Sequence, residues 1–169
     1  MKILILGLGN SGKSTFARDL GKLLPIPVYH LDRMQWGANW KMRPNEEFRQ
    51  LQKDLLKKTD WIYEGFKRGS VERQVEAADV IVYLHASRLK LTLNWFDRLY
   101  RYRKQTRPDM ADGNVEKFNL CYLKWLWKHS SAGTLEYVKT FTSNKELIVI
   151  RTESERINAL KKLAGMKKI

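Results

Sequence analysis

Apolar residues along this chain follow two rhythms. Five short runs, at residues 2–6 (KILIL), 27–31 (PVYHL), 61–63 (WIY), 79–84 (DVIVYL) and 146–150 (ELIVI), are nearly continuous in apolar character. They are too short for helices and rich in β-branched and aromatic residues, as strands buried on both faces are. Between them the apolar positions spread out to helical spacing. Phe16, Leu20 and Leu23 make one face, Phe48, Leu51 and Leu55 a second, Val71, Val75 and Ala78 a third, and Ile157, Leu160 and Leu163 the last. Each is the stripe of an amphipathic helix. Alternation of strand, loop and helix predicts an α/β fold of three layers, about five parallel strands with helices on both faces. No repeat, linker or low-complexity stretch interrupts the chain, so residues 1–169 read as a single domain.

Local signals place the element ends. Pro25 stops the first helix near Leu24. Asn45 reads as a cap with Glu46 and Glu47 in the first turn, where their charge suits the helix dipole. Ser70 reads as the cap of a short helix, and Thr152 with Glu155 as a capping box. Between the fourth and fifth runs lies a long basic excursion. A helix is expected from about Ser87 to Lys104, with Leu89, Leu93, Phe96 and Tyr100 in one stripe broadened by Leu91, Trp95 and Leu99. Arg98 and Arg101 share a face at i, i+3, and Arg103, Lys104 and Arg107 continue the positive charge. Pro108 ends regular structure, and residues 109–114 read as a mobile turn. A second long helix is expected from about Val115. Its residues 120–127 are apolar but for Lys124, the mark of a helix buried on several sides or of a dimer interface.

The chemistry is carried by the stretch Gly7-Leu8-Gly9-Asn10-Ser11-Gly12-Lys13-Ser14. Its spacing is that of a phosphate-binding loop, G-x-x-x-x-G-K-[ST], and it stands where such a loop must, after a strand and before a helix. The glycines let the backbone curl so that several N–H groups point inward at phosphate oxygens. Lys13 supplies a charge to the β- and γ-phosphates of ATP. Ser14 supplies a hydroxyl to Mg²⁺, an ion that keeps several waters and takes few protein ligands. Gly9, Asn10, Ser11, Gly12, Thr15, Arg98, Arg107 and Arg151 complete the expected nucleotide contacts.

Two acids stand at carboxyl ends of predicted strands, the edge where open α/β sheets bind ligands. Asp32 follows the second strand, where it would act as a base or hold a metal-bound water; a turn or helix cap is the plainer reading. Glu64 follows the third, in Glu64-Gly65-Phe66-Lys67-Arg68. Gly65 permits close approach of backbone, and Arg68 is spaced to hold a phosphate. His30, inside the second strand, reads as a buried, hydrogen-bonded histidine. Trp36 and Trp40 in the loop of residues 33–43 either clamp a ring of the second substrate or cover the core.

Composition narrows the setting. The length allows a real core, and 43% hydrophobic with 30% charged residues is neither a disordered nor a membrane composition. No apolar stretch approaches the ~20 residues of a membrane span. The N-terminal run is too short for a secretory leader, and a phosphate loop follows it. Cys121 is the only cysteine, which fits a reducing cytoplasm. The net charge of +14 predicts attraction to polyanions.

Taken together, residues 7–14, Tyr29-His30-Leu31-Asp32, Trp61-Ile62-Tyr63-Glu64-Gly65 and Arg107-Pro108-Asp109-Met110 resemble the adenylate kinase-related "DNA topology modulation" (FlaR-like) proteins over nearly the whole chain. The wider group comprises nucleoside monophosphate kinases and shikimate kinase-like enzymes. Residues 64–68 are similar to the D-G-F-P-R segment of adenylate kinases, where the acid organises Mg²⁺ waters and the arginine binds the acceptor's phosphate; here Glu replaces Asp and Lys replaces Pro. Asp32 is similar in placement to the strand-end aspartate of shikimate kinases. The resemblance implies an ATP- and Mg²⁺-dependent phosphotransferase. Its catalytic residues would be Lys13, Asp32, Arg101 and Arg107, its acceptor side Asp32, Trp36, Glu64, Gly65 and Arg68, its metal site Ser14, Asp32 and Glu64, and its lid residues 98–114. The acceptor would be a nucleotide or another small molecule, and the protein a monomer or homodimer free of membranes. Two other readings stay open. One is a nucleic-acid-binding P-loop protein with weak or no kinase activity; the other is a polynucleotide-end kinase. Surface charge alone predicts only weak nucleic-acid binding that salt removes.

Overall fold

The computed structural model describes residues 1–142 and 144–166. Strands β1 (Lys2–Leu6), β2 (Val28–His30), β3 (Trp61–Glu64), β4 (Val80–Leu84) and β5 (Glu146–Ile150) form one sheet in the order β2-β3-β1-β4-β5. Every neighbouring pair is parallel, so all carboxyl ends lie along one edge. The chain leaves β1, builds outward to one side through β3 and β2, and then crosses to β4 and β5 on the other. The loop after β1 therefore sits at the point where the winding reverses, which is where open α/β sheets place their ligands.

Alternation along each strand divides the core between the two faces. Ile3 and Ile5 pack with Phe16, Ala17 and Leu20 of α1 (Lys13–Leu23) and with Ala159 and Leu163 of α8 (Glu153–Gly165). Leu4 and Leu6 point the other way, into a cluster with Phe48 and Leu55 of α3 (Asn45–Leu56), Val75 of α4 (Val71–Ala77) and Leu135 and Val138 of α7 (Ser131–Lys139). Fully burying one such side chain is worth about 1.5–3 kcal/mol. Tyr63 and Tyr83 are buried on this second face. Gln52 Nε2 donates to the Tyr63 hydroxyl at 2.9 Å, and the Tyr83 hydroxyl donates to the Ser131 carbonyl at 2.7 Å. Burial pushes both phenols above their ordinary pKa.

The expected fold class, strands and flanking helices are present; several boundaries differ. β2 stops at His30, and residues 31–35 turn into the short helix α2 (Leu31–Gln35). Asp32 thus lies in the first turn of a helix, two residues past the strand. Pro44, not Asn45, occupies the N-cap of α3. Its fixed φ starts the helix without a side-chain bond. Ser70 precedes α4 but bonds backward to the Lys67 carbonyl. The Thr152–Glu155 capping box is formed.

The largest departure is in the basic excursion. α5 (Arg88–Arg101) is capped by Ser87 and ends three residues before Lys104. The expected second long helix is two short ones, α6 (Leu120–Lys128) and α7. Asn119 accepts from the Tyr122 amide, and Ser130 accepts from the Gly133 amide, each starting its own helix. Residues 115–119 carry no helix. Burial also falls on a different face of α5. Leu91 and Trp95 are buried, while Leu89, Leu93, Phe96 and Tyr100 stay exposed. Trp95 takes the inward position because Phe118 and Tyr122 close over it at 5.3 and 5.9 Å between ring centres. In α6 only Leu126 is buried; Leu120, Trp125 and Trp127 are exposed, contrary to the expectation of burial on several sides. No helix among the described residues is long and apolar enough to cross a membrane.

Candidate phosphate-binding cleft

The loop between β1 and α1 is held by its own backbone. Gly12 sits at φ 90°, a left-handed value that carries the chain into the helix. The Ser11 amide donates to the Leu8 carbonyl at 3.2 Å, and Lys13 Nζ folds back to the same carbonyl at 3.4 Å. Asn10 Oδ1 and Ser11 Oγ are buried without a hydrogen-bond partner. Such groups are costly unless something satisfies them, and Ser11 Oγ can donate to a phosphate oxygen beside the open end of α1. The loop is also clamped from outside. Asn94 of α5 donates to the Asn10 carbonyl at 2.7 Å, and Asn10 donates to the Tyr122 hydroxyl at 3.2 Å. A Cβ at Gly9 would lie 2.1 Å from that hydroxyl, so any larger residue would displace the Tyr122 side chain.

Parallel register brings the strand-end acids to this loop. Glu64 is paired across the sheet with Ile5 on one side and His30 on the other. Its side chain is 3% exposed. Glu64 Oε1 accepts from Ser14 Oγ at 3.0 Å and lies 2.8 Å from His30 Nδ1, while Oε2 has no partner. Asp32 keeps 47% of its side chain open to the cleft, yet protein crowds it on every side. That desolvation pushes its pKa above the ordinary carboxylate value. The Glu64 and Asp109 charges add to the rise, and Lys13 and Arg107 oppose it.

The opposite wall is built from side chains of the excursion. Arg107 is its centre. Its guanidinium lies 3.1 Å from Asp109, 4.0 Å from Asp32 and 2.6 Å from Glu116. The last is a contact of charges rather than an aligned hydrogen bond. Arg98 reaches the same Glu116 at 3.3 Å. Asp109 and Glu116 are almost wholly buried. Burial raises the Asp109 pKa, but Arg107, a backbone amide, His30 and Ser14 outweigh it, and the net shift is downward. Residues 109–114, expected as a free turn, are instead packed. A bridge joins Thr106 to Val115. Asn114 is fully buried, donating to the Gly37 carbonyl at 3.0 Å and accepting from the Trp40 amide.

These walls enclose a cleft of about 450 Å³, within the usual range for a small-molecule site. Gly9, Asn10, Ser11, Gly12, Lys13, Ser14, Thr15, Asp32, Arg98, Arg101 and Arg107 all line it. Arg101 does so from the rim, paired with Asp97 of its own helix and 68% exposed. Glu64 stands behind Ser14. Four further expected residues do not line the cleft. Arg68 lies over the Tyr137 ring at 4.6 Å. Trp36 packs edge-on against Trp40, whose indole donates to the Val115 carbonyl, so this pair braces the wall from outside the cleft. Arg151 is exposed beside the capping box, its amide bonded to Glu155. Gly65 does allow a close approach, but of Leu31, which a Cβ would meet at 2.2 Å. Sequence reasoning gave no role to Asp109, Glu116, Tyr122, Asn94, Arg18 or Arg156. Asp109 had a signal in its motif with Arg107 and Pro108; Glu116 and Tyr122 had none. Among the described residues no group of three His, Cys, Asp or Glu side chains is spaced to enclose a metal.

No protein-family model matches the sequence, and no curated protein matches it. Solved structures do share the fold. A candidate kinase of Chloroflexus aurantiacus superposes with a TM-score of 0.62 at 13% identity, covering 96% of each chain. Shikimate kinase from Acinetobacter baumannii, in complex with shikimate, gives 0.57 at 15%, over 97% of this chain and 91% of that one. Deoxyadenosine kinase from M. mycoides gives 0.56 at 15%, over 99% and 100%. At these identities the likeness establishes one thing: the chain has the five-stranded parallel fold of P-loop kinases.

Proposed function

We propose that the protein is an ATP-dependent phosphotransferase acting on a small acceptor. The observation that carries this reading is the convergence of Lys13, Ser14, Glu64 and Asp32 on one cleft faced by Arg98 and Arg107. Phosphoryl transfer needs positioning and charge neutralisation more than covalent chemistry. The loop amides, Lys13 and Thr15 would hold the ATP phosphates. Mg²⁺, when bound, would supply charge neutralisation for the phosphates. The residues present fit that ion in its usual manner, with Ser14 as direct ligand and Glu64 and Asp32 acting through water. Asp32, its pKa raised, suits a general base. Residues 98–114 would act as the lid that keeps water out. The shikimate and deoxyadenosine kinases that share the fold support this reading. Membership of the topology-modulation group rests on motif likeness alone.

A second reading, nucleic-acid binding, is favoured by the exposed Tyr100, Phe118 and Trp127 on a strongly basic chain, since stacking rings beside positive charge bind single strands. Radiolabelled ATP separates the two. Transfer of the γ-phosphate to a small molecule, with nucleic-acid binding lost by ~0.2 M salt, is the expected result. Salt-resistant binding to DNA or RNA without transfer would reverse the order of the readings.

A further inference from the structure

The phosphate-loop cleft lies at the carboxyl edge of the sheet, and a second hollow lies toward the opposite edge. It runs between α3 and α4, whose C-terminal ends lead into the first residues of β3 and β4. Its volume is about 430 Å³, enough for a small organic molecule. Helical spacing decides which side chains face it. Arg49, Lys53 and Lys57 recur every fourth residue along α3 and its C-cap, and Arg73 answers them from α4. Four cations thus meet one carboxylate in the lining, that of Glu76. Among the described residues none of the four has an ion-pair or hydrogen-bond partner for its side chain. Elsewhere on the surface Arg43, Arg101, Lys139, Arg156 and Lys162 each pair with an acid. The floor of the hollow is protein: Leu56 and Ala77 are half-buried, and Gln52 is 2% exposed, its Nε2 donating to the buried Tyr63 hydroxyl. The last carbonyls of a helix repel anions, but here they are taken up. Lys2 Nζ donates to the Leu56 carbonyl at 3.5 Å, and Lys145 Nζ donates to the Glu76 and Ala78 carbonyls at 3.1 and 2.9 Å. Both lysines add positive charge at the same helix ends.

We propose that this hollow is a second ligand site, separate from the phosphate-loop cleft, and that it takes a small organic phosphate of about mononucleotide size. The phosphate is held among the four cations. The guanidinium forks of Arg49 and Arg73 grip its oxygens, and Lys53 and Lys57 add charge. The organic part lies on Leu56, Ala77 and the alkyl stems of the α3 cations. A polynucleotide held by its phosphates alone makes no use of that floor, which favours the small ligand. Binding relieves the crowding of like charges that the empty hollow leaves uncompensated. The site stands on the other edge of the sheet from the phosphate loop, so both can be filled at once. It does not depend on the kinase reading.

The test is calorimetry on the full chain in excess MgADP, which fills the phosphate loop. The probes are two matched pairs, AMP with adenosine and glucose 6-phosphate with glucose, and a single-stranded oligonucleotide. At least one phosphate should bind with a Kd below about 1 mM, and its uncharged mate at least tenfold more weakly. The double variant Lys53→Glu/Arg73→Glu should weaken that binding at least tenfold. Lys22→Glu/Lys161→Glu makes the same change of charge on α1 and α8 and should weaken it less than twofold. If the first double variant melts early, Lys53→Met/Arg73→Met removes the two charges and keeps the stems, and the same loss is expected. The proposal is overturned if neither phosphate binds, if the hollow variants bind as the parent does, or if the control pair loses as much. Binding of the oligonucleotide alone, lost in the hollow variants, would overturn it in favour of a nucleic-acid face. Failure of MgADP to bind would count against the kinase reading only, since the comparison of variants still locates the second site.

Discussion

The two walls of the cleft are made on different principles. The phosphate-loop wall is backbone: eight consecutive residues, a left-handed Gly12, and amides whose direction follows from the chain path. The opposite wall is side chain: Arg98 from α5, Arg107 and Asp109 from the turn, Glu116 from the extended segment and Asp32 from α2, held together by charge. The first wall stands whether or not any one side chain is present. The second is an arrangement of buried charges in which removing one member leaves the others uncompensated, a loss of about 3–5 kcal/mol. Function and stability are therefore separable on one wall and joined on the other.

Arg107 gives the strongest test of that difference. Arg107→Ala should lower turnover by about 10³-fold or more, the effect of losing an arginine on the moving phosphoryl group. It should also lower stability by about 3–5 kcal/mol, as Glu116 and Asp109 lose their partner. Arg107→Lys should rescue neither fully, because lysine keeps the charge and loses the planar fork that touches several carboxylates at once. Kinetics and denaturant melts on the same samples decide this; a variant that is slow but fully stable would show that the wall is not a coupled network.

Lys13→Ala supplies the contrast. Its one side-chain hydrogen bond among the described residues is the 3.4 Å approach to the Leu8 carbonyl. MgATP affinity by calorimetry should fall by about 2–5 kcal/mol, roughly 30-fold to several thousand-fold, while the melting temperature should not move. A large loss of stability would mean that the lysine is structural.

Asp32 and Asp109 sharpen the comparison further, because they shift in opposite directions. The Asp32 pKa is raised above its unfolded value. The stability this gives is present below the ordinary carboxylate pKa and lost as pH rises through the raised one, so its charge at neutral pH is a strain. Asp32→Asn should then make the ligand-free protein slightly more stable at pH 7 while lowering kcat by about 10²-fold, the range of a lost general base. The acid limb of the kcat/KM profile, lying above the ordinary carboxylate range, should vanish with it. Asp109, lowered instead, contributes stability that is present above its unfolded pKa and lost as pH falls through the depressed value. Asp109→Asn should therefore destabilise at pH 7. Equal and same-signed stability changes in the two variants would refute the assignment.

The smallest effect is expected at Arg101. It shares the sequence pattern of Arg98 but lies exposed at the rim in an i, i+4 pair with Asp97. Arg101→Ala should change stability by less than about 0.5 kcal/mol and turnover less than threefold; a 100-fold loss would return it to the catalytic set.

How much of this was legible from the chain follows the same division. Lys13 and Ser14 could be read because the loop is local and its spacing is dictated by phosphate geometry. The strand-end positions of Asp32 and Glu64 could be read because strand ends are visible in apolar runs. Glu116 could not. It follows nine residues after Arg107 without periodicity, and its role exists only once the turn folds back on α5. Trp36 and Trp40 were balanced between ligand and structure; the structure uses them to brace the turn through Val115 and Asn114. The stripe Leu89–Leu93–Phe96–Tyr100 is a regular helical pattern that the fold nevertheless leaves outside. Periodicity reports that an element has two faces and not which one the rest of the chain will cover.

The clamp on the phosphate loop has a practical side. Tyr122, bonded to Asn10 and lying over Gly9, stacks on Trp125 at 5.7 Å with an angle of 19°, and Trp125 in turn stacks on His129 at 4.5 Å. An exposed indole is thus joined by ring contacts to the Asn10 side chain of the loop. A single tyrosine links the loop to Trp125, and in a variant keeping Trp125 as its one tryptophan the emission should change when a ligand occupies the loop, a readout that needs no label.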